Sequence, residues 1–201
     1  TFISIASHQL RTPLTIIKGY ISLVREGTVD VETSRGIEVL NRIAISTDQL
    51  IALVNNMLNL SRMDAGKMKY SFMPNDLGVL VKNVVQEFEI HAKERGVTLN
   101  FQNDAPDLGK IDFDIDKIQE AVTNLIDNAI KYTAKGKIHV EIAYPDAAKK
   151  RVRVSVTDNG IGLKPEDIPR LFAKFVSTQE AIRTDPGGTG IGLYIVKRVM
   201  D

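Results

Sequence analysis

The sequence predicts two domains: an all-α helical hairpin that dimerises into a four-helix bundle over residues 1–66, then an α+β sandwich over residues 67–201. Three observations predict it. Apolar residues between Leu10 and Leu60 recur at helical spacing, the period changes repeatedly after Gly66, and two alternating strands follow one another across a short turn at Pro145.

The hairpin comes first. Leu10, Leu14, Ile17, Ile21 and Val24 are spaced four, three, four and three apart, the stripe of a helix that packs on other helices. Gly27 and the stretch from Thr28 to Asp30 interrupt it. A second stripe runs through Leu40, Ile43, Leu50, Leu53, Met57 and Leu60 up to Ala65 and Gly66, where the glycine suits a helix C-cap. Two long helices cannot bury both apolar faces alone, so a homodimer is expected.

The second domain mixes periods. The pattern predicts a strand over 67–72, a helix over 76–95, a strand over 97–101, a helix over 114–133, strands over 137–144 and 151–158, a long loop, and a closing helix from Gly190. Consecutive strands joined by short turns imply a largely antiparallel sheet.

Composition narrows the function. Among 201 residues, Lys and Arg total 26 against 25 acidic residues, and a net charge of +1 gives no broad field for nucleic acid or anionic lipid. There is no cysteine, which excludes disulfides and thiolate metal sites. No apolar run approaches the roughly 18 residues of a spanning helix, so no membrane contact is expected within this chain. A start inside one helix and an end at Asp201 inside another suggest a piece of something longer, cytoplasmic or the cytosolic part of a membrane-bound sensor.

Candidate chemistry begins at His8, in Ser7-His8-Gln9-Leu10-Arg11-Thr12-Pro13-Leu14. Helical spacing sets His8 with Arg11, Thr12 and Thr15, away from the leucine stripe and towards solvent. Pro13 cannot donate the bond that would reach the carbonyl of Gln9, so a bend is expected there. A neutral imidazole is a competent nucleophile towards phosphorus near pH 7.

In the helix over 114–133, Ile118, Val122, Leu125 and Ala129 form an apolar stripe beside a polar one of Glu120, Asn124, Asn128 and Lys131. Two asparagines one turn apart suit phosphate and Mg²⁺, although solvated asparagines would read the same way. Val152, Val154 and Val156 fall in phase with Asp158, so that strand is expected to deliver a carboxylate to its apolar side, where an adenine amino group would be a natural donor. Asn159-Gly160-Ile161-Gly162 then permits close backbone approach. Gly187-Gly188-Thr189-Gly190-Ile191-Gly192-Leu193 opens the last helix, whose N-terminal N–H groups can receive phosphate oxygens. It lacks the Gly-Lys-Ser/Thr ending of a P-loop.

The octapeptide around His8 resembles the phosphoacceptor box of the sensor histidine kinases of two-component signalling. Asn124 to Thr133 resembles that family's N box, Asp158 to Leu163 and Gly187 to Leu193 its two glycine boxes, and Leu171-Phe172-Ala173-Lys174-Phe175 its F box. The boxes stand in order along nearly the whole chain. The resemblance implies a Bergerat-type ATP-binding fold, here without the family's final strands, and autophosphorylation of His8 with transfer to an aspartate of a response regulator receiver domain. It places ATP at Asn124, Asn128, Lys131, Tyr132, Asp158, Gly160, Gly162, Phe172, Lys174, Gly188, Thr189, Gly190, Gly192 and Leu193, with Mg²⁺ on Asn128. Thr12 takes the position at which the family orients water to dephosphorylate the regulator.

There are two departures. Gln9 stands where the family has an acidic residue that orients the imidazole and serves as base, and an amide accepts a hydrogen bond without taking up a proton. Val176 and Ser177 replace an aromatic and a basic residue after the F box, leaving Lys174 or Arg183 to supply the charge. These departures keep open an alternative, an ATP-binding dimeric scaffold or phosphatase with weak autokinase activity. A gyrase-type ATPase is disfavoured, because Asn124 stands in place of the glutamate that would activate water. Asp112, Asp114 and Asp116 alternate like a calcium loop, but Lys117 and Thr123 occupy its glycine and glutamate positions, so they read as a strand end and a helix cap. His91 and His139 read as structural.

Overall fold

The computed structural model describes residues 2–64, 68–146, 148, 151–185 and 188–201, excepting the side chains of residues 2–5, 8 and 64. The chain divides into two compact units, Thr1–Met68 and Lys69–Asp201. The expected boundary at residue 66, and the C-cap expected at Gly66, lie outside the described residues.

The first unit is a hairpin of α1 (Phe2–Arg25) and α2 (Ser34–Asp64). Gly27, at φ 68°, closes α1, its N–H donating to the Val24 carbonyl while Thr28 N–H donates to that of Leu23. This pair of bonds satisfies carbonyls that would otherwise be orphaned at the helix end. Thr33 then caps α2 by accepting the N–H of Gly36 at 3.1 Å. α1 continues without a break through Pro13.

The apolar stripes divide between two faces. Leu10, Ile17 and Val24 are half-buried and Val39 and Leu53 are buried, whereas Leu14 and Ile21 are each 50% exposed. On α2, Ile37, Leu40, Ile51, Val54 and Leu58 continue a second, exposed apolar row at helical spacing.

The second unit runs β1 (Met73–Asp76), α3 (Leu77–Glu94), β2 (Val97–Asn103), β3 (Lys110–Phe113), α4 (Ile115–Tyr132), β4 (Gly136–Ala143), β5 (Arg153–Asp158), a 3₁₀ turn (Ile168–Arg170), α5 (Gln179–Thr184) and α6 (Gly192–Met200). β1 pairs with β3, setting Met73 opposite Phe113. The order β2-β4-β5 forms a second sheet. α3 and α4 close one core with it, in which Val81, Val84, Ile126, Ile130, Ile138, Val140 and Ile142 are buried.

The sequence-based expectation needs correcting at the strands. The strand expected over 67–72 lies at 73–76, because its pairing is fixed by β3 rather than by its own alternation. Two of the three described pairings are antiparallel, but β2 and β4 run parallel, with Phe101 opposite Val140. Strands separated by a helix can pair this way, since the crossover returns the chain to its starting end.

Asp112 ends in β3 and Asp114 caps α4, as the sequence indicated. The Asp114 carboxylate, 8% exposed, accepts the N–H of Ser71 at 2.8 Å and that of Lys117 at 3.1 Å. The Ser71 bond is the main reason its pKa lies below the ordinary aspartate value, burial opposing and Lys117 assisting. A depressed carboxylate stabilises the fold above its unfolded pKa and loses that contribution as pH falls through the folded one. Asp114→Ala is therefore expected to destabilise the unit by about 1–2 kcal/mol at pH 7, the scale of a lost cap. The gap to wild type should narrow below about pH 4, near the unfolded aspartate pKa, as urea midpoints at both pH values would show.

Candidate nucleotide-binding site around helix α4

α4 is the frame of the site. Its apolar face, with Val122, Ile126, Ala129 and Ile130 buried, fixes the rotation that leaves Asn124, Asn128 and Lys131 half-buried along a neighbouring face. Asn124 donates to the carbonyl of Glu120 at 2.8 Å, so one of its two donor hydrogens is committed within the helix. Its oxygen lies against the first turn of α6, where a Cβ on Gly192 would come within 2.6 Å of it. Thus the N-terminus of α6 is packed beside the asparagine face of α4.

The loop after β5 crosses the other end of α4. Ile161 N–H donates to the Tyr132 carbonyl at 3.0 Å, and a Cβ on Gly160 would collide with that same carbonyl oxygen. Only glycine admits so close a crossing. Gly160 N–H donates to the Asp158 carboxylate at 2.9 Å. Asn159 turns back to accept the N–H of Lys137 at 2.9 Å, which ties the loop to the start of β4.

Asp158 departs from the expectation in one respect, since its side chain is exposed rather than buried. No described strand lies beyond β5, so the end of the strand is open to solvent and no burial cost arises. Gly162, at φ 69°, is also exposed.

Lys131 is the centre of charge. Its ammonium lies 2.6 Å from Asp127, one turn back, and 3.7 Å from Asp185. Desolvation works against that charge, but the Asp127 hydrogen bond and the two carboxylates outweigh it, and the pKa sits above the usual lysine value. Burial, reinforced by Asp185, likewise raises the Tyr132 hydroxyl.

The second glycine box leads into α6. Gly188 N–H donates to the Asp185 carbonyl at 3.1 Å, and Ile191 N–H to the Thr189 hydroxyl at 3.4 Å, so part of the donor set expected to face phosphate is internally bonded here. Gly190, at φ 65°, packs against the backbone of Phe175 and Val176, joining the F box to this turn. Phe175 itself takes a positive φ of 59°, a conformation that non-glycine residues adopt at a cost. Lys174 lies over the Tyr194 ring at 5.1 Å. Phe172 is 42% exposed, Arg183 is exposed, and Leu193 is half-buried in the first turn of α6.

The structure therefore gathers Asn124, Lys131, Tyr132, Gly160 and Gly192 around α4, each through a distance given above. The His8 side chain lies outside the described residues, although its backbone is within α1. Thr12 is exposed and Gln9 half-buried on the same helix. Sequence reasoning missed Asp185 and the ion pair between Lys164 and Glu180 at 2.7 Å. The acid next to the second glycine box was the only available signal for Asp185. His91 is exposed and His139 half-buried, and among the described residues no group of His, Asp and Glu is placed to hold a metal.

The family model of the His Kinase A (phospho-acceptor) domain matches residues 1–66. That of the histidine kinase-, DNA gyrase B-, and HSP90-like ATPases matches residues 113–201. The sensor protein GacS of Pseudomonas syringae pv. syringae is 32% identical over 204 residues, covering 100% of this chain and 22% of its own length. The chain thus spans about a fifth of that relative. Full-length ShkA in complex with AMPPNP superposes with a TM-score of 0.70 at 29% identity, covering 96% of this chain and 39% of its own. The histidine kinase ThkA in complex with response regulator protein TrrA gives a TM-score of 0.65 at 26% identity, covering 88% of this chain and 50% of its own.

Proposed function

This chain belongs to the histidine kinases, and from that premise we propose that it works as a homodimeric protein histidine kinase. It moves the γ-phosphate of ATP to His8 and then to an aspartate of a response regulator receiver domain. The observation that carries the reading is the convergence of the asparagine face, Lys131, the Asp158 loop and the start of α6 on one helix.

A neutral nitrogen of His8 attacks the γ-phosphorus in line, forming an N–P bond as the bond to the β-phosphate oxygen breaks, and ADP leaves. Asp158 accepts from the adenine amino group at the open end of β5. Asn124, Lys131 and the start of α6 receive the phosphates, and Asn128 would hold Mg²⁺, which neutralises phosphate charge when bound. The site fits these groups, because amide oxygens, an ammonium and helix N–H groups are what a polyphosphate and its cation require. Phe172 and Lys174 belong to the cover over the nucleotide, and Thr12 orients water for dephosphorylating the regulator.

The exposed apolar row of Leu14, Ile21, Leu40, Ile51 and Leu58 supports the dimer, since a second hairpin would remove it from water. ThkA's complex with TrrA supports the regulator as partner. Among the described residues no helix is long and apolar enough to cross a membrane, and a cytoplasmic position for this part fits that. Nothing in the relatives favours the scaffold or phosphatase alternative.

The test is incubation of the protein with Mg²⁺ and γ-labelled ATP. Label stable in alkali and lost in acid is expected, and its absence overturns the proposal. An amide at position 9 can accept an imidazole N–H but takes up no proton, so Gln9→Glu is expected to raise the initial rate of labelling about a hundredfold, the low end of general-base effects. An unchanged or lower rate would rule out a base at this position.

A further inference from the structure

We propose that Asp185 is a further residue of the nucleotide site, an internal anion that holds Lys131 until a phosphate-bearing ligand displaces it. This rests on the nucleotide reading given above. Lys131 has two carboxylate partners of different origin. Asp127 sits one turn back on the same rigid helix and contacts the ammonium at 2.6 Å. Asp185 comes from another element, as the C-cap of α5, and reaches it at 3.7 Å with both side chains mostly shielded, 33% and 24% exposed.

The position of the Asp185 carboxylate matters as much as its charge. One oxygen lies 3.4 Å from where a Cβ on Gly188 would stand, and the Asp185 carbonyl accepts the Gly188 N–H. The acid therefore occupies the space between the lysine of α4 and the glycine turn that starts α6, the two groups assigned to phosphate. An arriving phosphate and this carboxylate carry like charge and seek the same ammonium, so binding one must loosen the other. The opposite end of α5 has its own partners, the Thr178 hydroxyl accepting the N–H of Ala181 at 3.1 Å and Glu180 pairing with Lys164 at 2.7 Å. Burial is the main cause that raises the neighbouring Tyr132 hydroxyl, with Asp185 adding to it and Lys131 opposing.

Affinity for ATP, ADP and adenosine, measured by calorimetry on the whole chain with Mg²⁺ and again with chelator, tests the proposal. Asp185→Asn is expected to bind ATP and ADP about three- to fivefold tighter, the scale of one partly shielded pair, with adenosine unchanged. Asp185→Glu should restore wild-type affinity. Equal ATP affinity in wild type and Asp185→Asn overturns the proposal, as does an equal gain for adenosine. Weaker ATP binding by Asp185→Asn confined to the Mg²⁺ arm overturns it too, by making Asp185 a metal ligand. Wild-type binding of ATP together with any of these results leaves the nucleotide site standing, whereas binding by neither chain overturns both.

Discussion

A His8→Gln chain incubated with Mg²⁺ and γ-labelled ATP is expected to acquire no acid-labile label, while its affinity for ATP stays at the wild-type value. Removing the nucleophile of a covalent step acts on a scale of about 10³-fold or more. Glutamine keeps a similar polar reach at this helical position but offers no nitrogen lone pair that can attack phosphorus. The chain has three histidines, so competing acceptors are few. His91 is exposed in the last turn of α3, and His139 is half-buried on β4 opposite Thr157. Persistent acid-labile label in His8→Gln would move the acceptor to one of these two, and quantifying label in the triple replacement would show whether imidazole is involved at all.

The second large effect concerns Gly160. Gly160→Ala is expected to weaken ATP binding about ten- to a hundredfold with little change in the hairpin unit. An added Cβ would meet the Tyr132 carbonyl carbon at 2.8 Å and the Asp158 carboxylate at 2.9 Å, closer than real contacts allow. The Tyr132 carbonyl is helix backbone and cannot swing aside as a side-chain tip can. The loop must lift from α4, which breaks the bond from Ile161 N–H to Tyr132 and moves Asp158 away from the helix. Overpacking of this kind costs about 1–3 kcal/mol, and each 1.4 kcal/mol lost from binding is tenfold in Kd. Gly109→Ala is the matched control, because nothing lies within 4 Å of its Cβ position, only the positive φ of 63° opposes it, and it is none of the residues assigned to ATP. Affinity of Gly160→Ala within twofold of wild type would mean that this crossing does not shape the site.

The helices were legible because their signal is local. α1, α2, α3 and α4 each repeat apolar residues over several turns, and Asp76 and Asp114 mark two of the starts by capping the first turn. The strands were less so. β1 and β3 are four residues each, too short for alternation to register, and their partners lie some forty positions apart. Similarly, nothing in the residues of β2 announces that it will pair in parallel with β4. In the candidate site, the helix and loops that carry the boxes could be placed from sequence because the glycines and asparagines are contiguous. Exposure of Asp158 and the contact of Lys131 with Asp185 were not legible, as both follow from tertiary placement of segments distant in sequence.

The parallel pairing of β2 with β4 also sets the order in which this unit can assemble. Between Asn103 and Gly136 the chain lays down β3 and α4, so β2 and β4 cannot pair until α4 has been made and turned back. Such non-local closure raises contact order and slows folding relative to the hairpin, whose contacts are mostly between neighbours in sequence. Because α4 is the crossover itself, a ribosome-bound chain that ends before β4 has neither a closed sheet nor an anchored asparagine face. Completion of the sheet therefore has to precede assembly of the proposed nucleotide site.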